Sequence, residues 1–429
     1  MTGSLIGVVS LLLFSAVFVI IAMEEKFGIN KSKPALFLGT FLYLLLGVYH
    51  LADIGSVPEA LRESAHAVIF EIAEIFFFLF VAMTYIEALN ERGVFEALKN
   101  KVVSSGMRYK KLLWVSGLMT FFISAVADNL TTALIFATVI MTVEKKEKKF
   151  LVPAAVNIVV ASNAGGAWSP FGDITTLMIW NAGKAPFADF FYLFPASFAG
   201  WALTCFLLSL FVEDKAPTVG DEEEVLANAK EGAGIVVFLG IFTIACAVLS
   251  HQLLHLPAII GMMFGLSLLM LYGFSLKRKK SEDIAIFKSI SKIENDTLLF
   301  FFGLMASVGA LGYIGYLAAA AKVYEFLPPF WVNVSAGLLS AVIDNVPLTY
   351  AILKASPAME VREWLFLALT VGTGGSLIAF GSAAGVAVMG KMRGVYTFSS
   401  HMRYFFAVFA GYVLSVGVWY VQALVFGIY

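Results

Sequence analysis

"SAVADNLTTA" at residues 124–133 and "SAVIDNVPLT" at 340–349 each set an Asp beside an Asn in the middle of an apolar stretch. A carboxylate inside a bilayer costs about 3 kcal/mol or more unless it is paired, protonated or wetted. The surroundings decide how the two phrases are read. Of 429 residues, 60% are hydrophobic and only 14% charged, against roughly 25% charged in soluble domains. Runs of about 20 apolar residues, enough to cross a hydrocarbon core of about 30 Å, recur from end to end. The chain is an integral membrane protein with no room for a large soluble domain. Its net charge of −1 says little about partners, because what matters is the side of the membrane on which each charge lies. Cys205 and Cys246 fall within apolar helices, which argues against a disulfide framework or a Cys-type metal site. The opening "MTGSLIGVVSLLLF" lacks the positive n-region of a cleaved signal and reads as a retained first span.

Hydropathy places full-length spans near 3–22, 34–52, 67–89, 187–212, 233–250, 257–273, 297–317 and 404–427. The two Asp-Asn phrases interrupt shorter apolar stretches, 112–143 and 330–354, whose arms are too short for two ordinary crossings; they read as re-entrant helical hairpins. Residues 151–181 and 363–390 are each one long span broken by "NAGGAWSPFGD" and "GTGGSLIAFGS", where Gly and Pro make a continuous helix costly. The order is three spans, a hairpin, a broken span and a span, given twice: 1–212 and 233–429, joined by the charged linker 213–232. Each half crosses an odd number of times, so the second must lie upside down relative to the first. The expected fold is an all-α polytopic membrane protein of two inverted repeats, each with a re-entrant helical hairpin and a broken transmembrane helix.

Charge asymmetry supports that topology. With both termini outside, every Lys and Arg falls on the cytoplasmic side except Arg62, Lys184, Lys322, Lys354 and Arg362. The stretch 91–111 places Phe95, Leu98, Val102 and Met107 at helical spacing among Lys99, Lys101 and Arg108, as an interfacial helix does.

The halves agree best where their helices break, "SAVADN" with "SAVIDN" and "GGAWSPFGD" with "GGSLIAFGS", and matched interrupted segments point to a substrate site near the bilayer midplane. Asp128 and Asp344 stand at the hairpin tips. Each is also in the place of an N-cap for the helix that follows, a role for which Ser or Thr would serve without charge. Asp173 stands in the first break beside Thr175 and Thr176, with Asn163 across the glycines; the second break has Ser376, and Ser382 in the place of Asp173. Asn129 and Asn345 accompany the hairpin acids. No Lys, Arg or His falls within either hairpin core or either break, so an anion would meet uncompensated negative charge. A cation would meet carboxylates, amides, hydroxyls and half-helix carbonyls, the hard oxygen ligands that suit an alkali ion. Burial disfavours the charged form of any carboxylate, so such an acid can hold a proton near neutral pH and exchange it for a metal ion. The expectation is that Na+ or Li+ competes with H+ at Asp128, Asp173 and Asp344 under alternating access. Glu71 and Glu74, spaced i,i+3 on the third span, fit a proton path or a hydrogen-bonded brace equally well. His50, His66, His251, His255 and His401 all fall at span ends; a pH-sensing role for them is the minority reading.

"SAVADNLTTA", "ASNAGGAWSPFGDITTLMIW" and "SAVIDNVPLTYA" together resemble the NhaD-type sodium/proton antiporters of the ion-transporter superfamily, over essentially the whole chain. The resemblance implies two inverted repeats with re-entrant hairpins, export of Na+ and Li+ driven by protons, an inner bacterial membrane and a homodimer. By position it implies ion-site roles for Asp128, Asn129, Asn163, Asp173, Thr175, Thr176, Ser340, Asp344 and Asn345, joined by Ser376 and Ser382. No cofactor is expected beyond the transported ions, and no partner beyond membrane lipid and a second copy.

A passive channel is one rival reading, though discontinuous helices meeting at a midplane suit alternating access better than an open pore; two further rivals are of other kinds. An anion carrier of the same fold, for dicarboxylate or arsenite, is opposed by the acids at the hairpin tips. An intramembrane aspartyl protease would need Tyr-Asp and Gly-x-Gly-Asp, where this chain has "VADN", "VIDN" and "PFGD". No Gly-x-x-x-x-Gly-Lys-Ser/Thr loop or His-Glu-x-x-His occurs and no cytoplasmic segment could house a nucleotide domain, so a primary pump and a membrane metalloprotease are disfavoured; no nucleotide or nucleic acid is among the expected partners.

Overall fold

The computed structural model describes residues 1–22, 29–217, 229–280, 295–425 and 427. Every regular element among them is helical. A helix satisfies each backbone N–H and C=O within its own segment, which lipid demands. In chain order the elements are α1 (Leu5–Ala22), α2 (Ser32–Ile54), α3 (Glu59–Glu91), α4 (Val94–Val103), α5 (Tyr109–Ser124), α6 (Asn129–Val143), α7 (Lys148–Gly166), α8 (Ile174–Asn181), a 3-10 turn (Phe187–Leu193), α9 (Phe194–Ser209), α10 (Ala233–Gln252), α11 (Ala258–Lys280), α12 (Asn295–Ile314), α13 (Tyr316–Ala321), α14 (Val323–Phe326), α15 (Pro329–Ser340), α16 (Asn345–Ala355), α17 (Val361–Gly374), α18 (Ala383–Lys391), α19 (Phe398–Met402) and α20 (Phe405–Val425).

Among the described residues α2, α3, α10, α11, α20, and α9 with its 3-10 turn, are long and apolar enough to cross a membrane, and α12 joins them if it is taken with the bent segment that follows. The protein is therefore a multi-pass membrane protein. Three spans depart from the hydropathy reading. α1, expected as a full-length span over 3–22, falls among the shorter apolar helices. α3 starts at Glu59 and runs for 33 residues, about 50 Å at 1.5 Å per residue, because "EALRESAH" is polar yet helix-forming. The apolar run 297–317 is not one straight span: α12 stops at Ile314, Gly315 takes φ 109°, and the chain bends by 83° into α13 and α14. Glycine meets little steric penalty at that φ, and a side chain would meet a large one. The stretch 91–111 contains α4; Val102 on it is buried, and Leu98 on the same helix and Met107 beyond its end pack against the core. Residues 218–228 of the linker lie outside the described residues; before them, Arg108 pairs with Asp214 at 3.2 Å and the Tyr109 N–H donates to Lys215 O at 2.9 Å.

Packing divides the chain into two compact units, one of residues 1–83, 287–328 and 347–358, the other of 84–286, 329–346 and 359–429. Each draws on both sequence halves. In the first, α2 lies against α12, and Leu38, Leu42 and Leu46 fill the seam with Ala310, Leu311 and Ile314. There Tyr350 Oη donates to Glu71 Oε2 at 2.8 Å and Lys354 Nζ donates to Glu71 Oε1. This geometry is that of a brace. Lys354 and Glu71 are partly exposed, with side chains 25% and 36% accessible, so the pair is worth little more than a surface one. Glu71→Gln is expected to lower stability by about 1 kcal/mol, read as thermal unfolding in detergent, and Glu71→Gln/Lys354→Met to recover part of that loss.

The second unit holds both breaks and both Asp-Asn tips. α5 packs along α7, and α15 along α17. The same contact locks each pair: Ser124 Oγ donates to Ser162 O at 2.6 Å, and Ser340 Oγ to Val371 O at 2.7 Å. The backbones touch at matching places too, since a Cβ on Gly165 would lie 2.1 Å from Phe121 O and one on Gly374 2.0 Å from Gly337 O. Buried Asn157 braces α7 from both sides, donating to Leu113 O at 2.8 Å and accepting from Trp201 Nε1 at 3.1 Å.

Candidate ion-binding site

Asp173 is the hub of the second unit. Only 3% exposed, it caps α8 by accepting the Thr175 N–H on Oδ1 at 3.0 Å. Its other oxygen, Oδ2, accepts Asn129 Nδ2 at 2.9 Å and Asn345 Nδ2 at 3.0 Å. Both Asp-Asn tips thus reach one carboxylate, and they reach it with the Asn. The helix start explains this division of labour. Asp128, at φ 43° ahead of α6, bends its own carboxylate back to accept the Thr131 N–H at 2.9 Å, which leaves the next side chain, Asn129, directed at Asp173.

Asn163 extends the network across the glycines. Its Oδ1 accepts Asn129 Nδ2 at 3.1 Å, and its Nδ2 donates to Ser376 Oγ at 2.9 Å and Ser382 Oγ at 2.8 Å. Ser382 also caps α18, accepting the Gly385 N–H at 3.3 Å. One continuous set of polar contacts therefore joins Asp173, Asn129, Asn345, Asn163, Ser376 and Ser382. Thr176 stands beside it in a supporting place: its hydroxyl lies 2.8 Å from both Ser169 O and Asp173 O and ties the first break together. Thr175 is fully buried. Ser340 holds α15 to α17 and is outside the side-chain network.

The acids are placed differently from the sequence expectation. Asp344 is half-buried and within electrostatic reach of Asp173. Asp128 commits an oxygen to its cap. Among the described residues no three His, Cys, Asp or Glu side chains converge as a metal-holding group. At the centre stands one carboxylate, Asp173, among neutral amides and hydroxyls, with Asp128 turned back to cap α6 and Asp344 within electrostatic reach. Such a set can serve either ion: each Asn amide donates from NH2 as it does here, and half a turn presents its carbonyl oxygen instead.

One contact escaped the sequence reading. His401, expected at a span end, is fully buried; its Nε2 lies 3.0 Å from Ser376 O and its Nδ1 2.6 Å from Tyr396 Oη. It follows the break at a distance in sequence that no local spacing rule reaches.

A protein-family model described as a citrate transporter matches residues 17–372. The Na+/H+ antiporter NhaD of Alkalimonas amylolytica is 42% identical, across 97% of this chain and 91% of its own length. The chain belongs to the NhaD sodium/proton antiporter family. The NhaD protein of Vibrio cholerae is 41% identical with the same coverage of both chains, and sodium/proton antiporter 1 of Arabidopsis thaliana is 32% identical across 95% of this chain and 71% of its own length. Like other NhaD family members the chain is a transporter and not an enzyme, which removes the aspartyl protease reading. The family's setting is the lipid bilayer, consistent with the apolar helices described above.

Proposed function

We propose that this chain exchanges Na+, and also Li+, for H+ across a bacterial inner membrane by alternating access, with cation and proton competing at Asp173. The observation that carries this reading is a buried carboxylate held by an amide from each hairpin tip, in a family whose relatives are named as Na+/H+ antiporters. With a proton on Asp173 the central carboxyl is neutral. When the proton leaves, Na+ takes the charge of Asp173, with Asp344 adding to the negative field. Asn129, Asn163 and Asn345 turn amide oxygens toward the ion, and Ser376, Ser382 and the Thr175 hydroxyl stand by to complete its oxygen shell. Asp128 adds charge at the rim while capping α6, and Thr176 and Ser340 hold the frame. Glu71 braces the fold, which leaves Glu74 alone as a candidate step on a proton path. Two inverted halves, 1–212 and 233–429, with re-entrant hairpins at 112–143 and 330–354, supply the rocking geometry. The matched Ser124 and Ser340 contacts support that symmetry. Both termini face outward, 213–232 is a cytoplasmic linker, and the chain works as a homodimer.

The test is dissipation of a pH gradient in everted vesicles. Adding Na+ or Li+ is expected to collapse the gradient whatever the anion, and no response to either cation sinks the reading. The name of the matching family model favours a second possibility, transport of a carboxylate anion. A site centred on one carboxylate, with another in reach, repels such a substrate. Citrate-stimulated Na+ uptake in place of cation-driven proton flux would reverse the choice.

A further inference from the structure

We propose that His401 is a positioning residue for the cation site, an inference that rests on the antiport reading and adds a residue to it. α19 clasps the second break at two points. Phe398 stacks on Phe380 with ring centres 5.4 Å apart, and His401 reaches Ser376 O through Nε2 at 3.0 Å. A carbonyl oxygen only accepts, so Nε2 carries the proton, and the neutral ring takes the Tyr396 O–H on Nδ1 at 2.6 Å. Both nitrogens are thereby used and the ring is fixed. The residue whose carbonyl it holds is the one whose hydroxyl receives Asn163, and Asn163 leads through Asn129 to Asp173.

The first half of the chain serves as an internal control. "FADFFYLF" (187–194) lines up with "FSSHMRYF" (398–405), and Phe187 packs on Phe171 of the first break at 5.9 Å, as Phe398 does on Phe380. In that alignment Phe190, fully buried, occupies the place of His401. Packing alone is therefore satisfied by a phenylalanine. The first break is tied without a histidine: the Thr176 hydroxyl holds its loop from within, and Ser197 Oγ of α9 donates to Ala164 O from outside. In the second break the place of Thr176 is taken by Gly385, which has no hydroxyl to give. The imidazole ties the second break at a different carbonyl, Ser376 O, and so holds Ser376 where Asn163 can meet it.

The experiment uses the full-length protein in proteoliposomes, with Na+ half-saturation and maximal rate of proton exchange as paired readouts and Na+ binding by the detergent-purified protein as a third. His401→Phe copies the first half and so preserves packing. It is expected to raise the half-saturating and half-binding Na+ concentrations about tenfold, the worth of one buried hydrogen bond, with the maximal rate within about twofold. His401→Gln, whose amide N–H can reach the same carbonyl, is expected to restore most of the loss. Unchanged half-saturation in His401→Phe, or a His401→Gln no better than it, overturns the inference while leaving antiport intact. A wild-type protein that neither binds nor exchanges Na+ overturns the antiport reading, and this inference with it.

Discussion

Asp173→Asn is expected to abolish Na+-driven proton movement, by at least about 100-fold, while the protein still folds. The substitution is nearly isosteric, and an Asn caps α8 as well as an Asp does, so the local frame survives. What disappears is the charge that makes Na+ worth dehydrating and the oxygen that carries the exchanged proton. Removing one member of a buried charge pair costs about 3–5 kcal/mol, which is more than a factor of 100. The amides of Asn129 and Asn345, now facing another amide, cannot make good the loss. Proton flux in everted vesicles and Na+ binding in detergent should fail together, with the unfolding temperature close to wild type. Retained exchange in this variant would move the site elsewhere.

The second large effect concerns folding. Gly165→Ala and Gly374→Ala each place a Cβ within about 2 Å of a backbone carbonyl on the neighbouring helix, Phe121 O of α5 in one case and Gly337 O of α15 in the other. Backbone cannot step aside as a flexible side chain can, so the helices must separate and the hydrogen bonds from Ser124 to α7 and from Ser340 to α17 must stretch. Overpacking of this kind costs about 3 kcal/mol or more, enough to consume much of a marginal stability. Loss of monodisperse protein on size-exclusion chromatography is the expected readout. Gly390→Ala on α18, where a Cβ meets nothing within 4 Å, is the control and should be neutral or mildly stabilising.

Both effects arise at places legible in the sequence, because Gly, Pro and Asp-Asn punctuate helices through local backbone physics. Helices end and restart at 124–129 and 340–345 and at 166–174 and 374–383, where those residues stand. Side-chain destinations were less legible. Whether Asp128 points at the site or back at Thr131 depends on the torsions of a single residue at positive φ, which composition and spacing do not encode. The pairing of Glu71 with Lys354 joins residues far apart in the chain. The bend at Gly315 hides inside an apolar run, since hydropathy scores glycine without regard to its φ. His401 shows the limit most plainly. By periodicity it is an end-of-span histidine, and only the return of α19 onto the second break gives it a partner.

The central claim, that one buried carboxylate exchanges a proton for a cation, can be tested without any membrane gradient. Detergent-purified protein in weakly buffered solution is titrated with NaCl against a choline chloride control while released protons are followed with a pH dye. Release of about one proton for each Na+ bound, absent in Asp173→Asn, is the predicted result. Na+ binding with no proton release, or release that persists in Asp173→Asn, would contradict it.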